Sequence, residues 1–271
     1  MTANPYDIYK LLDQSNCRQC LLPSCMAFAV AVVQGLKKPA DCPHLSPEAL
    51  KCLTGVVGTR NSLEDDQENI LAALKQKVAA IDLLGAADRL GMPFSEDKIG
   101  INCLGKEFWI DSSGTLITQC HTNHWIYLPL LYYVLSGKGT KPQGNWVNFG
   151  GLKGATKARS QYFSHRCEAP LRQLADAHTD LFFEILHLFG AHKETGITNA
   201  DYCFVIEPLP NVLVMMNYWP PEEDFASQFT LLFDQTTTDN LDLDSLYLIC
   251  RGLVEMFREL IVKHTKDGKL F

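Results

Sequence analysis

Four cysteines in this chain are spaced for chemistry. Cys17, Cys20 and Cys25 fall within one short run, and Cys42 follows after a helix-length gap, directly before Pro43, giving C-x2-C-x4-C-x16-C. A cubane iron–sulfur cluster takes four thiolates, so gaps of two and four residues let one loop wrap three corners while a remote cysteine closes the fourth. The pattern predicts a [4Fe-4S] site on Cys17, Cys20, Cys25 and Cys42. Two rivals fit less well. Structural zinc sites usually consist of two separated C-x2-4-C knuckles, whereas here three ligands are bunched and the fourth stands apart. Disulfides require an oxidising compartment, and the start Met1-Thr2-Ala3-Asn4-Pro5 shows neither the basic region nor the apolar segment of a secretory signal. A cytoplasmic location with reduced thiols is the expectation.

The elements around the thiols have to position them. Ser24 is placed to cap a helix starting near Cys25, so the positive end of a helix dipole would face an anionic cluster, and Gly35 is its stop signal. Met26, Phe28, Val30, Val32 and Val33 leave that helix almost no polar face, so burial is expected all round. Leu21, Leu22 and Pro23 lie inside the loop, where they would shield sulfur from water. A module of about 45 residues is too small to stand without its metal or a neighbour. A cluster domain is expected over residues 1–60 and a larger domain over 61–271.

Residues 6–45, from Tyr6-Asp7-Ile8-Tyr9 through the cysteine loop to Asp41-Cys42-Pro43-His44-Leu45, resemble the four-cysteine [4Fe-4S] domain of the corrinoid iron–sulfur protein large subunit. The B subunit of Rnf-type electron-transport complexes carries a similar module. The resemblance implies that Cys17, Cys20, Cys25 and Cys42 ligate a [4Fe-4S] cluster that passes single electrons. It further implies a redox partner protein, in one version a corrinoid protein undergoing reductive activation. Related loops often place glycine between the thiols, where this one has Arg18-Gln19 and Leu21-Leu22.

Composition sets the bounds. The 271 residues are 46% hydrophobic and 20% charged, as in ordinary globular proteins, and no run of about 18 apolar residues predicts a membrane span. A net charge of −7 argues against nonspecific nucleic-acid binding, and Lys37-Lys38 reads as a solvated helix end. Of the ten cysteines, Cys52, Cys103, Cys120, Cys167, Cys203 and Cys250 are scattered singly, as reduced, buried thiols in the cytoplasm of an anaerobe would be.

Past the cluster module, Ser46-Pro47-Glu48 caps a short helix and Thr54–Ser62 reads as a connector. A helix is expected over about 63–83, with Ile70, Leu71, Leu74, Val78, Ile81 and Leu84 at helical spacing. Short strands near 99–103, 108–110 and 115–118 form a meander. A buried helix spans 124–136, with Pro129 placed in its first turn, and a strand or turn follows at 146–151. One long helix is expected over 169–189, with Leu174, Leu181, Ile185 and Leu188 inward. A hairpin spans 202–219 around Pro208-Leu209-Pro210-Asn211, then a strand near 229–234 and a last helix over 243–264. Without βαβ alternation the fold class is α+β. The strand pair near Phe108-Trp109-Ile110, His124 with Leu128 through Leu135, Gly144-Asn145-Trp146, Pro208-Leu209-Pro210 and Leu232-Phe233-Asp234 resemble a prokaryotic domain-of-unknown-function family found fused to such cluster domains. That resemblance covers about residues 75–265 and implies an architecture, without catalytic residues.

Other groups carry weaker signals. Cys120, His121 and His124 offer soft ligands within one turn for a second metal site, although His124 also reads as a helix start. His165 and Cys167 form a weak nucleophile–base pattern. Glu222, Glu223 and Asp224 form an acidic run and Asp234 follows a strand-like stretch; paired carboxylates could bind a cation or act as acid and base, but the run at the turn reads rather as a solvated face or a helix N-terminus. Gly150, Gly151 and Gly154 with Lys153 and Lys157 form a glycine loop with weak phosphate-binding character. Trp146, Trp219, Tyr132 and Tyr133 read as core aromatics. Three functional readings stay open: a one-electron carrier, an enzyme whose larger domain is fed by the cluster, and a structural or sensory cluster protein with an interaction domain.

Overall fold

The computed structural model describes residues 4–20, 22–33, 37–56, 63–120, 122–223 and 225–267. The chain divides into two compact units, Met1–Ile70 and Leu71–Phe271.

In the first unit, α1 (Pro5–Tyr9) opens with proline at its first position and with the Asn4 side chain accepting from the Tyr6 amide at 3.1 Å. It packs against α2 (Cys25–Val33), and α3 (Pro47–Val56) is capped as expected, the Ala49 amide donating to Ser46 Oγ at 3.1 Å. The core joins Ile8 and Leu12 of the first helical stretch to Phe28, Ala29 and Val32 of α2 and to Leu45, Ala49 and Leu53. Met26 is exposed, so α2 does turn one side chain to solvent despite its composition. The stop at Gly35 lies outside the described residues. Of the expected connector, residues 54–56 are the last turn of α3 and 57–62 also lie outside the described residues.

Residues 63–90 differ from the expected single helix. α4 (Leu63–Ala79) ends early, and Asp82 takes an extended conformation ahead of a second helix, α5 (Leu83–Leu90). The break leaves Leu74 and Val78 buried and Leu84 half exposed at 50%, which a continuous helix over 63–83 would have carried inward. Next comes the meander: β1 (Phe94–Ser95), β2 (Lys98–Cys103), β3 (Lys106–Asp111) and β4 (Leu116–Ile117) pair antiparallel in sequence order. Alternation puts Ile99, Ile101, Cys103, Phe108 and Ile110 on the core face. α6 (His124–Ser136) has the expected bounds, but Pro129 falls in its second turn rather than its first. Arg89 Nη2 reaches back to the Val134 carbonyl at 2.5 Å, satisfying an acceptor near the helix end.

The second sheet runs β5-β9-β8-β7-β6, all antiparallel, from β5 (Trp146–Asn148), β6 (His192–Lys193), β7 (Tyr202–Leu209), β8 (Val212–Trp219) and β9 (Gln228–Asp234). The β7–β8 hairpin turns at Pro210-Asn211, with Asn211 at φ 60, a conformation that asparagine tolerates. Helices cover the sheet. α7 (Lys157–Phe163) continues through a π-helical turn at Ser164–Glu168 into α8 (Ala169–Ala177), and α9 (Thr179–Leu188) follows. The long helix expected over 169–189 is thus two, broken at His178 with φ −147 and ψ 57. The break lets adjacent Phe182 and Phe183 both reach the core, while Leu188, expected inward, is 68% exposed. α10 (Thr237–Asn240) is a single turn and α11 (Leu243–Asp267) closes the unit by packing on α6 and α9. The architecture is α+β, as the pattern predicts.

Candidate functional site

The loop between α1 and α2 is shaped by backbone conformations that side chains usually avoid. Gln14, Asn16 and Arg18 take φ of 57°, 51° and 63°. Three such residues at alternate positions turn the chain sharply, and at Asn16 one amide is aimed at a sulfur. Asn16 fixes the turn. Its Oδ1 accepts from the Cys25 amide at 2.8 Å, and its own amide donates to Cys25 Sγ at 3.4 Å. Ser24 acts at the same helix end, its Oγ accepting from the Ala27 amide at 3.1 Å. Cys25 is therefore held at both its backbone and its sulfur, at the first residue of α2.

The remote cysteine is tied to this loop through polar side chains. His44 Nε2 and Gln19 Oε1 are 2.9 Å apart, and His44 Nδ1 is 4.0 Å from Asp13 Oδ2. Asp13 in turn accepts from Ser15 Oγ at 2.9 Å and stands 3.9 Å from Cys25 Sγ. The hydrogen bonds from Ser15, followed by its neighbours His44 and Cys25, hold the Asp13 carboxyl below the usual carboxylate range despite an opposing desolvation effect.

The thiols differ in exposure. Cys25 and Cys42 are buried at 7% and 8%, Cys20 is half-buried and Cys17 is exposed. Burial pushes the Cys42 thiol up against the opposing effect of a backbone hydrogen bond at His44, and the charges of Asp13, Cys20 and Cys25 push it further. Leu22 packs on the core with Cys20, as a shielding residue should; Pro23 is exposed, and Leu21 lies outside the described residues. Among the described residues no three His, Cys, Asp or Glu side chains form a group able to hold a single metal ion. The four thiolates of a cubane bind four different irons and stand wider apart than the ligands of one ion. The Asn16 amide aimed at Cys25 Sγ and the helix N-terminus at Cys25 suit such an anionic sulfide cage.

Residues 12–44 match a family model described as “Putative Fe-S cluster”. Residues 82–256 match the model described as “Domain of unknown function (DUF3786)”, well over half of the 271 residues. The chain belongs to the DUF3786 family. Its N-terminal segment is similar to the gamma subunit of the acetyl-CoA decarbonylase/synthase complex of Methanopyrus kandleri, at 45% identity over 47 residues, 17% of this chain and 10% of the relative. Subunit gamma 2 from Methanosarcina mazei is 44% identical over 45 residues, and the gamma subunit from Methanocaldococcus jannaschii 48% over 40. The chain spans about a tenth of the length of these curated relatives. Together the family match and these relatives mark an iron–sulfur protein. No solved structure matches the chain.

Within the DUF3786 domain the other candidate groups separate. Cys120 and His124 belong to no metal-holding group among the described residues, His121 lies outside them, and His124 is the first residue of α6. His165 is exposed while Cys167 is wholly buried, its thiol pushed up to about 12 chiefly by burial, so the two make no nucleophile–base pair. Glu222 and Glu223 are solvated, as expected, and Asp224 is outside the described residues. Asp234, by contrast, is completely buried. Its carboxylate accepts from the amides of Gln143 at 3.0 Å, Gly144 at 2.6 Å and Thr236 at 3.0 Å, and from Thr236 Oγ1 at 2.6 Å. Burial acts to raise this carboxyl, but those donors outweigh it and leave it below its ordinary value. The glycine loop is structural too. A Cβ on Gly150 would meet Ser160 Oγ at 2.9 Å, and the Gly151 amide is already taken by Asn148 Oδ1 at 2.9 Å. Tyr133 is buried and donates to the Pro210 carbonyl at 3.0 Å, whereas Tyr132, Trp146 and Trp219 are half-buried. Sequence reading missed Asp13, Asn16, Gln19 and His44. Their polar side chains beside the cysteines are the one available signal, and it does not say which of them bond.

Proposed function

We propose that Cys17, Cys20, Cys25 and Cys42 each bind one iron of a [4Fe-4S] cluster and that the N-terminal unit carries single electrons to or from a protein partner. The observation that carries this reading is the double hold of Asn16 on Cys25, an amide donor to sulfur combined with a side-chain acceptor for the helix amide. A bound cluster supplies a store for one electron. The protein's residues do the rest: the Asn16 amide offsets negative charge at Cys25 Sγ, Leu22 limits water, and the exposed Cys17 is the corner nearest to solvent and so to a partner. The similarity of the N-terminal segment to subunits of a multi-subunit complex supports a protein partner. A corrinoid protein awaiting reductive activation is its most specific form.

Anaerobic protein tests this in two stages. Iron and sulfide are quantified beside spectra of the oxidised and dithionite-reduced chain. About four irons per chain and a reversible one-electron change are expected; zinc in place of iron sinks the proposal. Cys42→Ala should then lower iron content, and unchanged iron would exclude Cys42 as a ligand. Mixing the reduced chain with a cob(II)-loaded corrinoid protein addresses the partner, since persistence of the Co(II) paramagnetic signal would remove the corrinoid version and leave the carrier.

A further inference from the structure

The second unit contains a cavity of about 270 Å³ whose walls come from the β2–β3 hairpin, the segment entering α6, the residue after α9, and α11. Three sulfur-bearing residues from three of these parts, Cys103, Cys120 and Met256, line it, and Phe108, Trp125 and Phe189 add aromatic walls. Neither cysteine is in a disulfide. Cys103 is buried and Cys120 half-buried, and the cavity is where the hairpin and the segment entering α6 bring them to one wall.

The turn that delivers Cys103 to this cavity is strained. Leu104 and Gly105, the two residues between β2 and β3, have φ of 52° and 74°. A two-residue hairpin of this type favours Asn-Gly, and a leucine gains nothing from the left-handed region. Leu104 is kept there by burial at 5% and by its amide, which donates to the Pro208 carbonyl at 3.2 Å. Residues held in sparsely populated backbone regions cluster at ligand clamps and active sites.

The donors select the ligand. Thiolate and thioether sulfur prefer soft ions. Zinc asks for four ligands, usually with nitrogen or oxygen among them; Glu255 and Glu259 also line the cavity, yet among the described residues no three His, Cys, Asp or Glu side chains form a metal-holding group. A monovalent d10 ion is content with two thiolates and one weaker donor. We propose that Cys103 and Cys120, with Met256 as third donor, form a soft-metal site of the Cu(I) class in the DUF3786 domain. Binding exchanges protons for metal: two S–H bonds break, two Cu–S bonds form, and two protons pass to solvent with no change in oxidation state. If instead these thiols serve purely as small hydrophobes, no metal is taken up.

The test uses the full chain with its iron loaded anaerobically, titrated with Cu(I) against bicinchoninate while iron is counted in the same samples. Retention of about one copper per chain with iron unchanged is expected, lost in Cys120→Ser and weakened in Met256→Leu. Three results overturn the site: no copper held against the chelator, equal uptake by Cys120→Ser, or copper gained in step with iron lost, which would put the metal on the N-terminal loop. If Cys120→Ser does not fold, alkylation mapping of the unaltered chain decides. Protection of Cys120 by one equivalent of Cu(I) supports the site, and undiminished labelling overturns it.

Discussion

The indole of Trp125, in the first turn of α6, lies against the backbone of Gly252 in α11, so closely that a β-carbon at Gly252 would overlap the ring. Helix-on-helix contact at that point depends on a missing side chain. Gly252→Ala should destabilise the second unit by roughly 1–3 kcal/mol through overpacking, even though alanine favours helices. Denaturant unfolding measures it, and Trp125→Leu in the Gly252→Ala background should recover part of the loss. Additive effects of the two changes would show that the contact is not shared.

Asn16 should tune the cluster more than it holds it. Asn16→Ala removes the acceptor for the Cys25 amide and disfavours the left-handed conformation that aims the Asn16 amide at Cys25 Sγ. Amide donors to sulfur favour the reduced, more negative cluster, so the midpoint potential should fall while iron content stays near that of the parent. Asn16→Gly, which accepts positive φ freely, should fall less. Spectroelectrochemical titration reads both, and coincident potentials in Asn16→Ala and the parent would mean that the hold does not reach the cluster.

Asp234 should give the second unit an acid-labile component. Its folded carboxyl lies below its ordinary value of about 3.9 because hydrogen bonds from Thr236, Gly144 and Gln143 outweigh burial. The stabilisation is present in full above the unfolded value and is lost as pH falls through the lower folded one. Asp234→Asn presents its amide donors where the protein already supplies donors, at a cost of about 1–3 kcal/mol near neutrality, and should flatten the acid limb of stability against pH. An unchanged limb in urea unfolding from pH 7 to pH 3 would assign that limb to other carboxylates.

Thiol reactivity should follow burial. In cluster-free chain, Cys17 should alkylate first, and Cys167 and Cys250, both wholly buried with thiols pushed up by desolvation, should stay unlabelled until the second unit unfolds. Time-resolved peptide mapping gives the order. Early labelling of Cys250 would mean that α11 opens locally.

Local features read well from sequence because local rules decide them. The Pro210-Asn211 turn, the Ser24 and Ser46 caps and the His124–Ser136 helix needed no distant information. The breaks at Ala79 and His178 did, since helical spacing continues across both and the packing of Leu74, Val78, Phe182 and Phe183 decides where each helix turns. The burial of Asp234 was not legible because its four donor groups lie in the loop at Gln143-Gly144 and at Thr236. The cysteine spacing was fully legible, whereas the approach of Cys103 to Cys120 depends on how a hairpin meets the segment entering α6.

Cys25 and Cys42 belong to the apolar core of the first unit, among the same residues that join α1 to α2, and Cys20 packs against it. Chemistry and architecture there share atoms, and no inert scaffold stands behind the redox group. A cell short of iron, or briefly exposed to oxygen, would then lose this iron–sulfur protein to proteolysis instead of storing it in an idle form. The supply of metal would set how much of the chain persists.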